Sequence, residues 1–250
     1  MRGAVKLCSM RFSKFPRAKN HREYIVVSVG GSLIVPDGID AAFLDRFQSS
    51  ILAHVERGFS FYIVAGGGMT ARRYQRAAEE VRGDLDPEDV DWLGIHATRL
   101  NAHLLRALFK DVAQERIVKN PTRGIRSSRK APRVIIGAGW RPGWSTDYCA
   151  VTAAKQLGAK RLVNLSNIDH VYTADPRTNT DAAPIERIGW SDFRALIPDH
   201  WDPGLSSPFD PVAAKAAQEA KMEVAIMNGA HLDRFDQYLS GENFIGTVIG

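Results

Sequence analysis

The chain has little cysteine. Cys8 and Cys149 are its two thiols in 250 residues, which excludes a disulfide framework and reads as incidental thiols in a reducing compartment. No apolar run approaches the roughly 18–20 residues of a membrane span, and no secretory signal is read in it. His54, His96, His103, His170, His200 and His231 show no metal-ligand spacing with cysteine or carboxylates, and no Ser-His-Asp arrangement is recognisable. A Walker A motif is missing. The stretch GAGWRPG (137–143) is one residue too long for the dinucleotide fingerprint. Two common nucleotide folds are thereby disfavoured, and a phosphate site has to be assembled from several loops.

Acid is absent from the first 22 residues, which hold seven Lys/Arg (Arg2, Lys6, Arg11, Lys14, Arg17, Lys19 and Arg22) and His21. Removing their +7 from the net +5 leaves the remainder at −2. The body of the chain therefore gives no support for a basic nucleic-acid face. The basic stretch reads as a disordered extension, with an organelle transit peptide or an upstream start before Met10 as alternatives.

Glycine is plentiful and sits in telling places. Three β-branched apolar runs each end in a glycine turn: YIVVSVGGS (24–32), FYIVAGGGMTARR (61–73) and RVIIGAGWRPGWSTD (133–147). Buried strands that end on glycine put loops on one edge of a parallel sheet, with N–H groups free for phosphate. At Gly66-Gly67-Gly68, three small residues let a phosphate approach the backbone, and Arg72 one turn later adds charge; the plainer reading is a tight turn. Gly30-Gly31-Ser32 carries the same two readings. Asp91 can hold a ribose diol, because a carboxylate accepts from two hydroxyls, or can be a solvated helix residue. Ser145-Thr146-Asp147 is a natural helix N-cap that can equally present hydroxyls to a base or phosphate.

Periodicity gives strands at 24–29, 59–65, 116–118, 134–136, 161–165, 223–227 and 247–249. Helices are expected from the Asp40 cap to about Arg57 with Gly58 at C′, over 70–81, from Asp86-Pro87 onward, over 147–157 closed by Gly158, over 190–196 with Ser191 as a possible cap, and from Asp210-Pro211 to Ala220, followed by one more short helix. The segment up to about Pro184 reads as a hairpin or excursion, and 119–130 and 198–208 read as loops. Strands alternating with helices imply an α/β fold, a mostly parallel sheet covered on both faces, with residues 23–250 forming one domain.

The blocks VSVGGSL, VAGGGMTARRY, DWLGIHATRLNAHLL, GWRPGWSTD, NLSNIDHVYTADP, SSPFDPVAAK and GTVIG, in this order from Tyr24 to Gly250, resemble the amino acid kinase fold family, and within it the uridylate (UMP) kinases of the archaeal type. The resemblance implies a three-layer α/β/α sandwich, with ATP over the C-terminal half (about 160–250) and the acceptor over the N-terminal half. It implies transfer from ATP to UMP with Mg²⁺, and a cytoplasmic homo-oligomer, a hexamer of dimers. It assigns Gly31, Ser32, Gly67 and Arg72 to the transferring phosphates, and Gly66 to the UMP phosphate. Asp91 falls to the UMP ribose, and Trp140, Arg141, Pro142, Gly143, Trp144, Ser145 and Thr146 to the loop around UMP. Ser166, Asn167, Tyr172 and Asp175 fall to ATP, and Lys215 to the transferring phosphoryl group, making Lys215, Gly31 and Arg72 the catalytic set.

Three departures stand out. Many members have Lys in a K-x-G-G-like first strand; here the stretch is Val27-Ser28-Val29-Gly30, with no Lys. His170 stands where the family has Gly, at a turn that a positive φ would strain. Trp140, Arg141 and Trp144 make the acceptor loop bulkier and more basic. Two alternatives follow: a same-fold kinase for an amino-acid carboxylate, carbamate or isopentenyl phosphate, or a non-catalytic nucleotide-binding protein akin to the molybdenum-storage proteins. The isopentenyl phosphate enzymes carry a histidine shortly after the glycine run, and Met69-Thr70-Ala71 offers none.

Overall fold

The computed structural model describes residues 23–123, 132–198 and 207–250. The basic extension, part of the 119–130 loop and most of the 198–208 loop lie outside the described residues.

Local chemistry accounts for most element boundaries. The β-branched run forms β1 (Ile25–Val29), followed by the short α1 (Gly31–Ile34). The Asp40 carboxylate accepts from the Phe43 N–H and starts α2 (Ala41–Glu56), and Gly58 ends it at φ 99°. β2 (Phe61–Ala65) runs into α3 (Gly68–Val81). In α4 (Pro87–Leu108), Pro87 fills the first turn and Asp86 accepts from the Glu88 N–H at 2.8 Å. β3 (Val134–Gly137) precedes α5 (Thr146–Leu157), which is capped by Ser145 at 3.0 Å from the Tyr148 nitrogen and closed by Gly158 at φ 65°. Then come β4 (Arg161–Ser166), the antiparallel pair β5 (Val171–Tyr172) and β6 (Pro184–Ile185), β7 (Arg187–Ile188) and α6 (Trp190–Leu196). α7 (Pro211–Glu219), β8 (Glu223–Asn228), α8 (Leu232–Ser240) and β9 (Thr247–Ile249) complete the described chain.

Three local expectations need correction. Residues 116–118 form no strand; isolated bridges at Ala113 and Val118 run beside β3 instead. α3 starts two residues before Thr70, because Gly68 at φ +63° turns directly into the helix. α6 is preceded by Gly189 with no side-chain cap, and Ser191 lies inside it, accepting from Gln218 Nε2.

The main sheet has the order β3-β2-β1-β4-β8-β9-β7. β3, β2, β1, β4 and β8 are parallel, β9 is antiparallel to β8, and β7 is parallel to β9. Alternate strand residues feed two cores. Val27, Val29, Ile63, Val163 and Met227 pack with Phe47 of α2, Leu105 of α4 and Phe235 of α8. Val26, Tyr62, Val64, Leu162 and Ile226 pack on the opposite face with Ala150 of α5, Phe193 of α6 and Ala214 of α7. This is the expected three-layer α/β/α sandwich with a mostly parallel sheet. Among the described residues, no helix is long and apolar enough to cross a membrane.

Candidate active site

Strand order reverses at β1, with β2 and β3 added on one side and β4 on the other. In open α/β sheets, ligands gather at the carboxyl ends of the strands where such a reversal opens a crevice. Gly30 sits at that point, donating its N–H to the Leu165 carbonyl of β4 at 2.8 Å. The two glycine turns meet beside it. A Cβ on Gly31 would stand 1.9 Å from the Gly68 nitrogen, one on Gly66 2.3 Å from the Gly31 nitrogen, and one on Gly68 2.2 Å from the Gly31 oxygen. They abut, because glycine lets the two backbones touch, and they form one continuous surface. Among the described residues, no backbone carbonyl accepts from the Gly31, Ser32, Gly67 or Gly68 amide. Four N–H donors at two adjoining helix starts make a surface suited to anionic oxygens. Arg72 is exposed one turn into α3.

α4 braces this surface and the acceptor loop together. Asn101 donates from Nδ2 to the carbonyls of Gly66 at 2.8 Å and Gly67 at 3.2 Å. Thr98 Oγ1 accepts from the Gly139 N–H at 2.8 Å. Arg99 donates to the Trp140 carbonyl at 2.7 Å and more weakly to that of Gly139. Asp91 Oδ2 accepts from the Gly143 N–H at 2.7 Å, so the proposed ribose acid also anchors the loop from Trp140 to Thr146. Gly143 holds φ +75°, which the turn requires. The structure thus brings Gly66, Gly67, Asp91, Trp140 and Gly143 together around one helix.

β1 also carries a buried polar side chain, Ser28. Ser28 Oγ donates to Asp147 Oδ1 at 2.9 Å, and Asn164 Nδ2 and the Asp210 N–H approach the same carboxylate at 3.4 Å. The residue as a whole keeps some solvent contact, but its carboxyl is enclosed by these groups. Burial pushes its pKa up to about 6 against the lowering hydrogen bond from Ser28, and the Asp210 charge adds to the rise. Burial also raises the Asp210 carboxyl, against hydrogen bonds from the Ala213 amide and Ser145. A carboxyl whose folded pKa lies above its unfolded value stabilises fully below the unfolded pKa, and that contribution is lost as pH rises through about 6. At about 1.36 kcal/mol per unit, with a discount for the solvent that reaches the residue, the loss is on the order of 2 kcal/mol. Urea unfolding between pH 4 and 8 is therefore expected to show wild type losing about that much relative to Asp147→Asn. Parallel pH profiles for the two proteins would contradict the burial argument.

The residues assigned to ATP are less tightly gathered. Ser166 ends β4 beside Asn228 of β8, its Oγ 3.4 Å from the Ile168 nitrogen, and Asn167 is exposed. Tyr172 lies on the small β5–β6 pair. Asp175 is exposed and forks onto Arg177 at 2.8 and 3.1 Å, which holds its carboxyl below the usual range. Lys215 is on the exposed side of α7, in its second turn, with no carboxylate in ion-pair range among the described residues. The structure does not bring it into contact with the glycine surface. His170 causes no backbone strain: Lys221, at φ 51°, is the one non-glycine residue with positive φ among those described. The adjacent Asp169 ties this turn to α8 through Arg234 and to the end of β8 through Asn228.

Asn101, Thr98, Arg99 and the Ser28–Asp147 contact were not singled out from the sequence. Their signal is a polar residue at a position that the helical or strand period assigns to the core, as at Thr98 and Asn101 on the buried stripe of α4.

Fold and site together define an α/β protein with a glycine-lined backbone surface at a topological switch point. The profile of the amino acid kinase family matches residues 23–228, and the chain belongs to that family. It is 30% identical over 227 residues to the uridylate kinase of Methanocorpusculum labreanum, covering 90% of this chain and 95% of that protein. It is 31% identical over 230 residues to the uridylate kinase of Hyperthermus butylicus, covering 90% and 98%. Its fold superimposes on the uridylate kinase structure from Archaeoglobus fulgidus with a TM-score of 0.76 at 27% identity, over 90% of this chain and 99% of that one.

Proposed function

We propose that the chain phosphorylates UMP to UDP with ATP as donor. The observation that carries this reading is the merged Gly31–Gly68 backbone surface, whose amides have no backbone partner among the described residues, braced by the same helix that presents Asp91 and the acceptor loop. The similarity to archaeal uridylate kinases supports the choice of acceptor.

A nucleoside monophosphate has a second pKa near ~6, so at pH 7 its phosphate is mostly a dianion and already a nucleophile. One of its oxygens bonds to the γ-phosphorus as the bond from that phosphorus to the β,γ-bridging oxygen breaks. ADP leaves with that oxygen. No proton has to be removed, which agrees with the absence of a general base from the assigned residues. What is required is in-line placement and stabilisation of charge on the equatorial oxygens. The glycine amides and Arg72 supply donors for those oxygens, and Lys215, assigned by the family resemblance, would supply a further cation from α7. Mg²⁺ is a hard ion held mainly by substrate phosphates and water. Such an ion would arrive on ATP and neutralise phosphate charge there. The oligomer and the cytoplasmic location implied by the family belong to this proposal.

Asp91→Asn tests the acceptor half. The variant keeps its shape but loses the charge that strengthens hydrogen bonds to a ribose and to the Gly143 N–H. The KM for UMP is expected to rise about tenfold, with the KM for ATP within about twofold. A change confined to ATP would remove Asp91 from the acceptor site.

A further inference from the structure

The acceptor loop carries an aromatic cluster that phosphate chemistry leaves unexplained. The Trp140 and Trp144 rings meet edge to face with centroids 4.6 Å apart, and Tyr148 lies 4.3 Å beyond Trp144. The guanidinium of Arg141 lies over Trp140 at 4.4 Å from the ring centroid and 5.2 Å from that of Trp144. Arg141 is exposed, and among the described residues its guanidinium makes no hydrogen bond or ion pair. Arg99 offers a contrast. It also covers an indole, that of Trp92 at 5.5 Å, but two backbone carbonyls fix its guanidinium. The face of Trp140 is therefore covered by a side chain held there through ring contact alone.

We propose that the Trp140 face, walled by Trp144, is a stacking platform for the acceptor's nucleobase, and that Arg141 covers it until the acceptor arrives. This rests on the reading of the loop as the acceptor site and narrows it to a mode of recognition. A planar delocalised cation and a planar heterocycle use the same face of an indole, so Arg141 occupies the place that a base takes. A Cβ built on Gly139, which leads into the platform, would stand 3.5 Å from the Ile95 Cα, and one built on Gly67 would stand 3.5 Å from the Gly94 carbonyl oxygen. Platform and phosphate surface thus rest on one turn of α4. Stacking reads a π-face, which every base has, rather than the edge that distinguishes uracil from cytosine. The acceptor is then selected for a planar aromatic base, with aromaticity counting for more than edge pattern.

The test compares UMP, CMP and 5,6-dihydro-UMP on the full-length protein. Dihydro-UMP keeps the N3–H and both carbonyls of uracil but has a saturated, puckered C5–C6 bond. Coupled ADP release is measured for turnover, and quenching of tryptophan fluorescence without ATP for binding. UMP and CMP are expected within about tenfold of each other in kcat/KM, and dihydro-UMP about tenfold or more below UMP. Trp140→Leu should raise the KM for UMP about tenfold while leaving that for dihydro-UMP nearly unchanged, with kcat within about twofold. Trp140→Phe keeps a platform and should keep the preference, so a Leu variant that fails to fold does not decide the matter. Equal use of UMP and dihydro-UMP, or an equal loss with both in Trp140→Leu, overturns the platform. If no nucleotide turns over, the UMP kinase reading fails; quenching by UMP and not by dihydro-UMP would still uphold the platform in that case.

Discussion

Gly31→Ala is expected to lower kcat/KM for phosphoryl transfer by about 10²-fold or more. The added Cβ would stand 1.9 Å from the Gly68 nitrogen and 2.7 Å from the Gly67 nitrogen. Both obstacles are backbone, so no side-chain rotation relieves them. The two turns have to separate by an ångström or more, and a displacement of about 1 Å at a reacting centre costs on the order of 10²-fold. Overpacking adds a stability loss of about 1–3 kcal/mol, visible as a lower Tm. Gly38 is the internal control, because nothing lies within 4 Å of a Cβ built there. Gly38→Ala should behave as wild type in both assays. A Gly31→Ala protein with normal turnover would show that the contact between the turns is not the catalytic surface.

Lys215→Ala is expected to lower kcat by about 10²–10³-fold with both KM values within about threefold, the signature of a charge used in the transition state and not in the ground state. Lys215 is exposed on α7 and makes no ion pair among the described residues, so its removal leaves no buried partner unsatisfied. The Tm should therefore stay within about 2 °C of wild type, and the kinetic loss is read without a folding artefact. With no lysine in β1, Lys215 is the cation on which the proposal leans most. Steady-state kinetics with UMP and ATP decide the point. An unchanged kcat removes Lys215 from the mechanism.

The sandwich and its site were legible where local chemistry decides. Asp40, Asp86, Ser145 and Asp210 each accept a backbone N–H at a helix start, and an oxygen-bearing residue before an apolar period announces that role by itself. Glycine after a β-branched run announced the strand ends. Residues 116–118 misled because a short apolar run has the same composition whether it pairs fully or, as here, touches β3 at single bridges. The contact between Gly31 and Gly68 could not be read, since the turns are 37 positions apart and their approach depends on the β1–β2 register. The same holds for Asn101 and for the Ser28–Asp147 contact, where a polar side chain finds its partner only after the sheet and both helix layers have formed. His170 shows the converse. The family pattern suggested a glycine-type turn, and the backbone there needs no positive φ.

The most direct measurement is ADP release by the full-length protein with ATP, Mg²⁺ and one acceptor at a time, across UMP, CMP, glutamate, aspartate, carbamate and isopentenyl phosphate. The account predicts rapid turnover with UMP, comparable use of CMP, and background rates with the other four. Turnover confined to a carboxylate, carbamate or isopentenyl phosphate, or ATP binding with no acceptor that stimulates ADP release, would contradict it.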